Sequence, residues 1–136
     1  MKALSIGFML VGIVWALVVV WIHLVMIGIT EPISAGSVFL YFGAMLLGPI
    51  LLILGSILVL KGLHAKQGAI LVLFGCTILS LIVGYSSIQD LHVEPLQVKP
   101  PYLFDACLII TALLSDVGAF RLYQLASSVN ILGIGR

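Results

Sequence analysis

Four stretches of this chain, 3–29, 37–60, 68–87 and 102–126, are apolar for long enough to cross the hydrocarbon layer of a bilayer. A spanning helix needs about 20 mostly apolar residues, each advancing about 1.5 Å through a layer about 30 Å thick. Within lipid, every backbone N–H and C=O has to be satisfied inside the protein, and a helix does this within one segment. The fold class that follows is an all-α integral membrane protein, four transmembrane helices in an antiparallel bundle. Composition agrees. Hydrophobic residues make up 62% of the 136-residue chain and charged residues 8%, against roughly 45–50% and 25% in soluble domains. The length leaves room for one transmembrane domain over 1–136, with 127–136 too poor in apolar residues to cross again and expected to lie at the interface.

The connections set the path. After the first run comes Glu31-Pro32, where proline ends one helix and restrains the residue before it. The second and third runs are joined by KGLHAKQ, a short basic link that forces a hairpin. SSIQDLHVEPLQVKPP joins the third and fourth; its three prolines oppose a continuous helix, and Leu91 and Val93 alternate with polar neighbours as in a short extended segment. The first run lacks a small-x-small cleavage site and continues through bulky residues, so it is expected to be a retained helix. Gly12 and Ala16 there, and Gly75, Ser80 and Gly84 in the third run, permit close helix approach. Pro49, in the middle of the second run, removes one helical hydrogen bond and predicts a packing kink.

Orientation follows from the distribution of cations. With both termini cytoplasmic, Lys2, Lys61, Lys66, Arg121 and Arg136 fall on the inner side and only Lys99 outside. Trp21, Tyr41, Tyr85 and Tyr102 then converge near the outer interface, where amphipathic rings settle. A bacterial inner membrane or another cellular membrane fits such a multi-pass chain. Six Lys plus Arg against five Asp plus Glu leave almost no net charge, which argues against nucleic acid as a partner.

The fourth run is the anomaly, because it carries Asp105, Asp116 and Arg121. Ionisable groups at bilayer depth cost roughly 2.5–3.5 kcal/mol on insertion scales, and they usually face a protein interior or a wet cavity. Asp105 lies one turn from Pro101 and reaches the headgroups; Arg121 is near the other end and can extend to the interface. Asp116 has neither escape, standing about 20 Å from one end of the run and about 13 Å from the other. Arg121 lies about 140° around the helix from it, so the two do not pair within one straight helix. Counting from the inner boundary places Thr77 of the third run level with Asp116, so Thr77, with Ser80 nearby, is the expected hydroxyl donor, across a packing stripe that includes Thr111, Ser115 and Ala119. Asp116 is then expected to be neutral or paired with a cation at rest, with Asp116, Thr77 and Asp105 as the ion- or proton-binding candidates and Arg121, Ser80 and Ser115 as packing or charge partners.

Other chemistries fare worse. His23 and His92 are peripheral on one side and His64 on the other, giving no paired histidines for haem or metal and no Ser-His-Asp arrangement. Cys76 and Cys107 sit in apolar runs without a CxxC spacing. No cofactor, metal site or enzymatic activity is expected. Two function classes remain. The favoured one is an interaction or accessory subunit of a larger membrane complex, its partners being the bilayer and other membrane subunits or copies of itself. The alternative is an oligomeric small transporter or channel that uses Asp116 as a proton- or cation-binding carboxylate.

Overall fold

A computed structural model describes residues 1–27, 35–62, 64 to 91 and 102–131. The chain is all-helical over these residues: α1 Lys2–Ile27, α2 Ala35–Leu60, α3 Ala65–Leu91 and α4 Tyr102–Ile131. All four are long and apolar enough to cross a membrane, as fits a membrane protein. Two helices run further than the sequence reading placed them. α3 continues through SSIQDL to Leu91, and α4 continues five residues into the stretch read as a tail. Neither extension meets Gly or Pro, the residues that end helices. Leu91, read as part of an extended segment, is therefore helical; Val93, His92, Glu31, Glu94, Lys99 and Arg136 lie outside the described residues, as does the side chain of His23.

The turn between α2 and α3 is short. Lys61 and Gly62 donate their N–H groups to Ile57 and Val59, closing α2, and Gly62 has a φ of 69° that glycine adopts without a Cβ clash. His64, at φ 55°, holds the same left-handed region, and its carbonyl accepts from Gly68 in the first turn of α3.

α2 and α3 are locked by two pairs of glycines spaced seven apart on each helix. A Cβ added at Gly55 would lie 2.5 Å from the Gly68 carbonyl oxygen, and one at Gly75 would lie 2.9 Å from the Gly48 carbonyl oxygen. The contacts run in opposite directions along the two helices. α1 meets α2 the same way: Gly12 faces Pro49 and Leu52, and Ser5, on the same side of α1 nearer its start, donates to the Ser56 carbonyl at 2.8 Å. Gly75, read from sequence as permitting close helix approach, packs on α2. A methyl group added at Gly84 would meet nothing within 4 Å among the described residues. α2 continues through the buried Pro49 as one helix.

Helices pack in chain order, α1 on α2, α2 on α3 and α3 on α4, while α1 and α4 meet only narrowly, where Gly118 sits against Phe8. Among the described residues Phe8, Leu52, Val59, Val72, Cys76, Ala119, Leu122 and Ala126 are buried together as a core. Outward faces, such as Leu10, Leu17, Leu81 and Leu114, are apolar and exposed, the arrangement of helices solvated by lipid tails.

Candidate functional site

On α4 the inward stripe Ala119, Leu122, Ala126 recurs at helical spacing, and one turn before Ala119 on the same face stands Asp116. The carboxylate is half-buried, and Ser80 of α3 donates to its Oδ2 at 2.7 Å. Oδ1 is buried and has no hydrogen-bond partner among the described residues. Within the apolar window Ala106–Ser128, Asp116 lies about 15 Å from one end and about 18 Å from the other. This hydrogen bond from a hydroxyl to a carboxyl oxygen joins α3 to α4 within that apolar window.

Ser80 makes this bond; Thr77 does not. Thr77 is exposed, and its hydroxyl donates to the Leu73 carbonyl of its own helix at 3.0 Å. The reason is helix length. Ser80 is fifteen residues from the start of α3 at Ala65, and Asp116 is fifteen from the end of α4 at Ile131, so with these boundaries the two stand level. The shorter helices inferred from sequence placed Thr77 there instead. Arg121 is exposed on another side of α4. Asp105 is in the first turn of α4, and its side chain lies outside the described residues.

Bordering the core, and sharing Leu52 and Cys76 with it, residues of all four helices line a cavity of about 40 Å³. Ser80, Thr111 and Ser115 give it its hydroxyls, Cys76 a thiol, and Val11, Trp15, Leu52 and Leu79 most of its apolar wall. Thr111 donates to the Cys107 carbonyl at 2.7 Å and Ser115 to the Thr111 carbonyl at 2.8 Å, both back along α4. Of its lining residues, Val11 of α1 and Thr111 of α4 are exposed. Ser115, named from sequence as a packing partner, is thus brought beside the Ser80 and Asp116 pair. The contribution of α1 through Trp15 was not foreseen. Its signal, Trp15 one residue before Ala16 and three after Gly12, marks a packed face and says nothing of a cavity.

No group of three or more His, Cys, Asp or Glu side chains comes together among the described residues. Comparison with protein-family models, curated proteins and solved structures finds no match to this chain.

Proposed function

We propose that this chain is a non-catalytic interaction or accessory subunit of a larger membrane complex, folded as an antiparallel four-helix bundle with both termini on the cytoplasmic side of a bacterial inner membrane or another cellular membrane. The observation that carries this reading is that Asp116, the carboxylate set at bilayer depth, is engaged by the hydroxyl of a neighbouring helix. A carboxylate used in this way fixes helix packing. The interior beside it holds about 40 Å³, room for about three waters and not for a hydrated pathway. In support of the orientation, Lys2, Lys61 and Lys66 gather at one end of the helices, and Arg121 lies toward that end on α4.

Purification in mild detergent tests the assignment: a defined heteromeric complex is expected, and a small homo-oligomer alone would count against it. The fastening role is tested by substitution. Ser80→Ala leaves the carboxylate without its donor and should destabilise the fold by about 1–3 kcal/mol, while Thr77→Val should change stability by less than about 0.5 kcal/mol. Equal effects of the two would sink it.

A second reading is favoured by one observation, the buried Oδ1 of Asp116, which has no hydrogen-bond partner among the described residues. In that reading the chain assembles as an oligomeric transporter or channel and Asp116 carries a proton or cation. Asp116→Asn keeps the size and hydrogen-bonding capacity but cannot carry charge. If it assembles normally yet abolishes ion-dependent flux in liposomes, the transport reading stands; a packing role alone leaves Asp116→Asn normal and weakens assembly in Asp116→Leu, and normal assembly and activity in both variants would remove Asp116 from either role.

A further inference from the structure

Arg121 is an exposed cation inside an apolar window, about 10 Å from the Ser128 end of it and about 140° round α4 from Asp116. The other acidic residues in the described helices are Asp90, in the last turn of α3, and Asp105, in the first turn of α4. Both lie toward the opposite ends of their helices from Lys66 and Arg121. The flank of α4 that carries Arg121 follows from the packing: on α1, Ser5 and Gly12 turn toward α2 and Phe8 toward Gly118, while on α4 Asp116 turns toward α3. Helical phase then puts Gly7 and Val11 of α1, with Leu114 and Arg121 of α4, on the outer side of the junction between α1 and α4. All four are exposed, and a methyl group added at Gly7 would meet nothing within 4 Å among the described residues. Gly118 meets Leu4 and Phe8, whereas Val11 and Trp15 share the cavity with Thr111 and Ser115, so the two helices run in opposite directions. From Arg121 the rise to Ser115 and Thr111 is about 9–15 Å, and one leaflet of a hydrocarbon layer about 30 Å thick is as deep. The cavity wall is mostly carbon, and the hydroxyls of Ser80, Thr111 and Ser115 spend their hydrogens on Asp116 and on backbone carbonyls. It suits a hydrocarbon.

We propose that the outer side of this junction holds one anionic phospholipid, its phosphate on Arg121, one acyl chain over Gly7, Val11 and Leu114, and the end of that chain in the cavity. A guanidinium is always charged and meets a phosphate through two parallel hydrogen bonds. From its depth in the window the long side chain extends to the headgroups. The cavity of about 40 Å³ takes about three water-sized groups, here the last carbons of the chain, and apolar cavities in proteins hold apolar guests in place of water. A zwitterionic lipid carries its own cation beside the phosphate, whereas an anionic one leaves the phosphate to the protein, and Lys2, Lys61 and Lys66 at the same end of the helices add attraction. A helix of another chain, about 10 Å across, does not enter such a cavity and brings no phosphate. This lipid site needs only that the helices span a bilayer, and neither role considered for Asp116 bears on it.

Trp15 lines the cavity and Trp21 is exposed, so Trp21→Phe leaves one indole as a built-in reporter. The full-length Trp21→Phe protein is placed in phosphatidylcholine nanodiscs that contain a minor fraction of lipid with brominated chains, phosphatidylglycerol in one series and phosphatidylcholine in the other, and quenching of Trp15 by bromine is read. At equal mole fraction the anionic lipid should show about fivefold higher affinity, the factor that one cation near a membrane surface contributes. Arg121→Gln should bring the two series together, while Lys61→Gln, on the turn between α2 and α3, should keep most of the preference. Ala112→Leu, which fills the cavity, should reduce quenching by the anionic lipid, with folding of each variant checked by gel filtration. Equal quenching in the two series, or a preference that survives Arg121→Gln, overturns the site, and so does an equal loss in Lys61→Gln, which would mean a diffuse attraction to the basic end. Quenching unchanged by Ala112→Leu overturns the seating of the chain end in the cavity, and a Trp15 shielded from both lipids would show another subunit covering the junction and refute the lipid. Whether the protein purifies as a heteromer or a homo-oligomer leaves the lipid preference unchanged.

Discussion

Replacing Gly55 by alanine puts one methyl group where two helix backbones touch. Its carbon would lie 2.5 Å from the Gly68 carbonyl oxygen, 2.8 Å from the Val72 nitrogen and 2.9 Å from Val72 Cγ2. Two of these three are backbone atoms, which cannot rotate away. Relief to ordinary contact near 3.5 Å requires α2 and α3 to part by roughly 0.5–1 Å, a gap that forfeits a quarter to a half of each dispersion contact along the seam. Overpacking of this kind costs about 1–3 kcal/mol. Alanine returns up to about 1 kcal/mol through its higher helix propensity, so a net destabilisation of about 1–2 kcal/mol is expected. Gly7→Ala supplies the control: Gly7 is exposed with nothing within 4 Å of the added methyl, so only the propensity gain operates. Reversible unfolding in mixed micelles of increasing dodecyl sulfate fraction measures both. Gly75→Ala, whose nearest backbone atom is at 2.9 Å, should fall between them. A Gly55→Ala protein as stable as Gly7→Ala would refute the claim that backbone contact holds this hairpin.

Two further outcomes are expected. In a background with Cys76 and Cys107 replaced, cysteine at position 65 should be labelled by an impermeant reagent only from the cytoplasmic side and cysteine at position 86 only from the other; labelling of position 65 from outside would invert the topology. Pro49→Ala should alter stability by about 1–2 kcal/mol, because the buried ring is lost from the packed face that Gly12 approaches, while assembly state stays unchanged; loss of assembly or flux without a stability change would make Pro49 part of a site.

Hydropathy was enough to read four helices, because the hydrocarbon layer imposes a length that few other constraints imitate. The depth of Asp116 was readable for the same reason. Its partner was not, since helix ends inferred from polarity fell short by three residues in α3 and five in α4, about one turn each, and one turn separates Thr77 from Ser80. Thr77 and Ser80 also differ by about 60° in direction, and rotation about a helix axis leaves little trace when apolar residues cover every face. The glycine seam did leave a trace: Gly48 and Gly55 repeat at the interval of Gly68 and Gly75, and a seven-residue interval returns to nearly the same face of a helix. Ser5 and Ser56 carry no such mark. Serine in an apolar run is as compatible with a bond inside its own helix, which Ser115 makes, as with one to a neighbour.

The meagre contact between α1 and α4 divides the molecule unequally. α2 and α3, joined by a tight turn and backbone to backbone at two glycine pairs, form a spine; α1 and α4 are its two covers, each attached along its own side and touching the other chiefly where Gly118 meets Phe8. Few interactions join the covers to each other, whereas opening the spine would unpack both glycine pairs at once. Each cover is thus held by the spine and hardly at all by the other cover, and Asp116, through Ser80, is one of the points at which α4 is held.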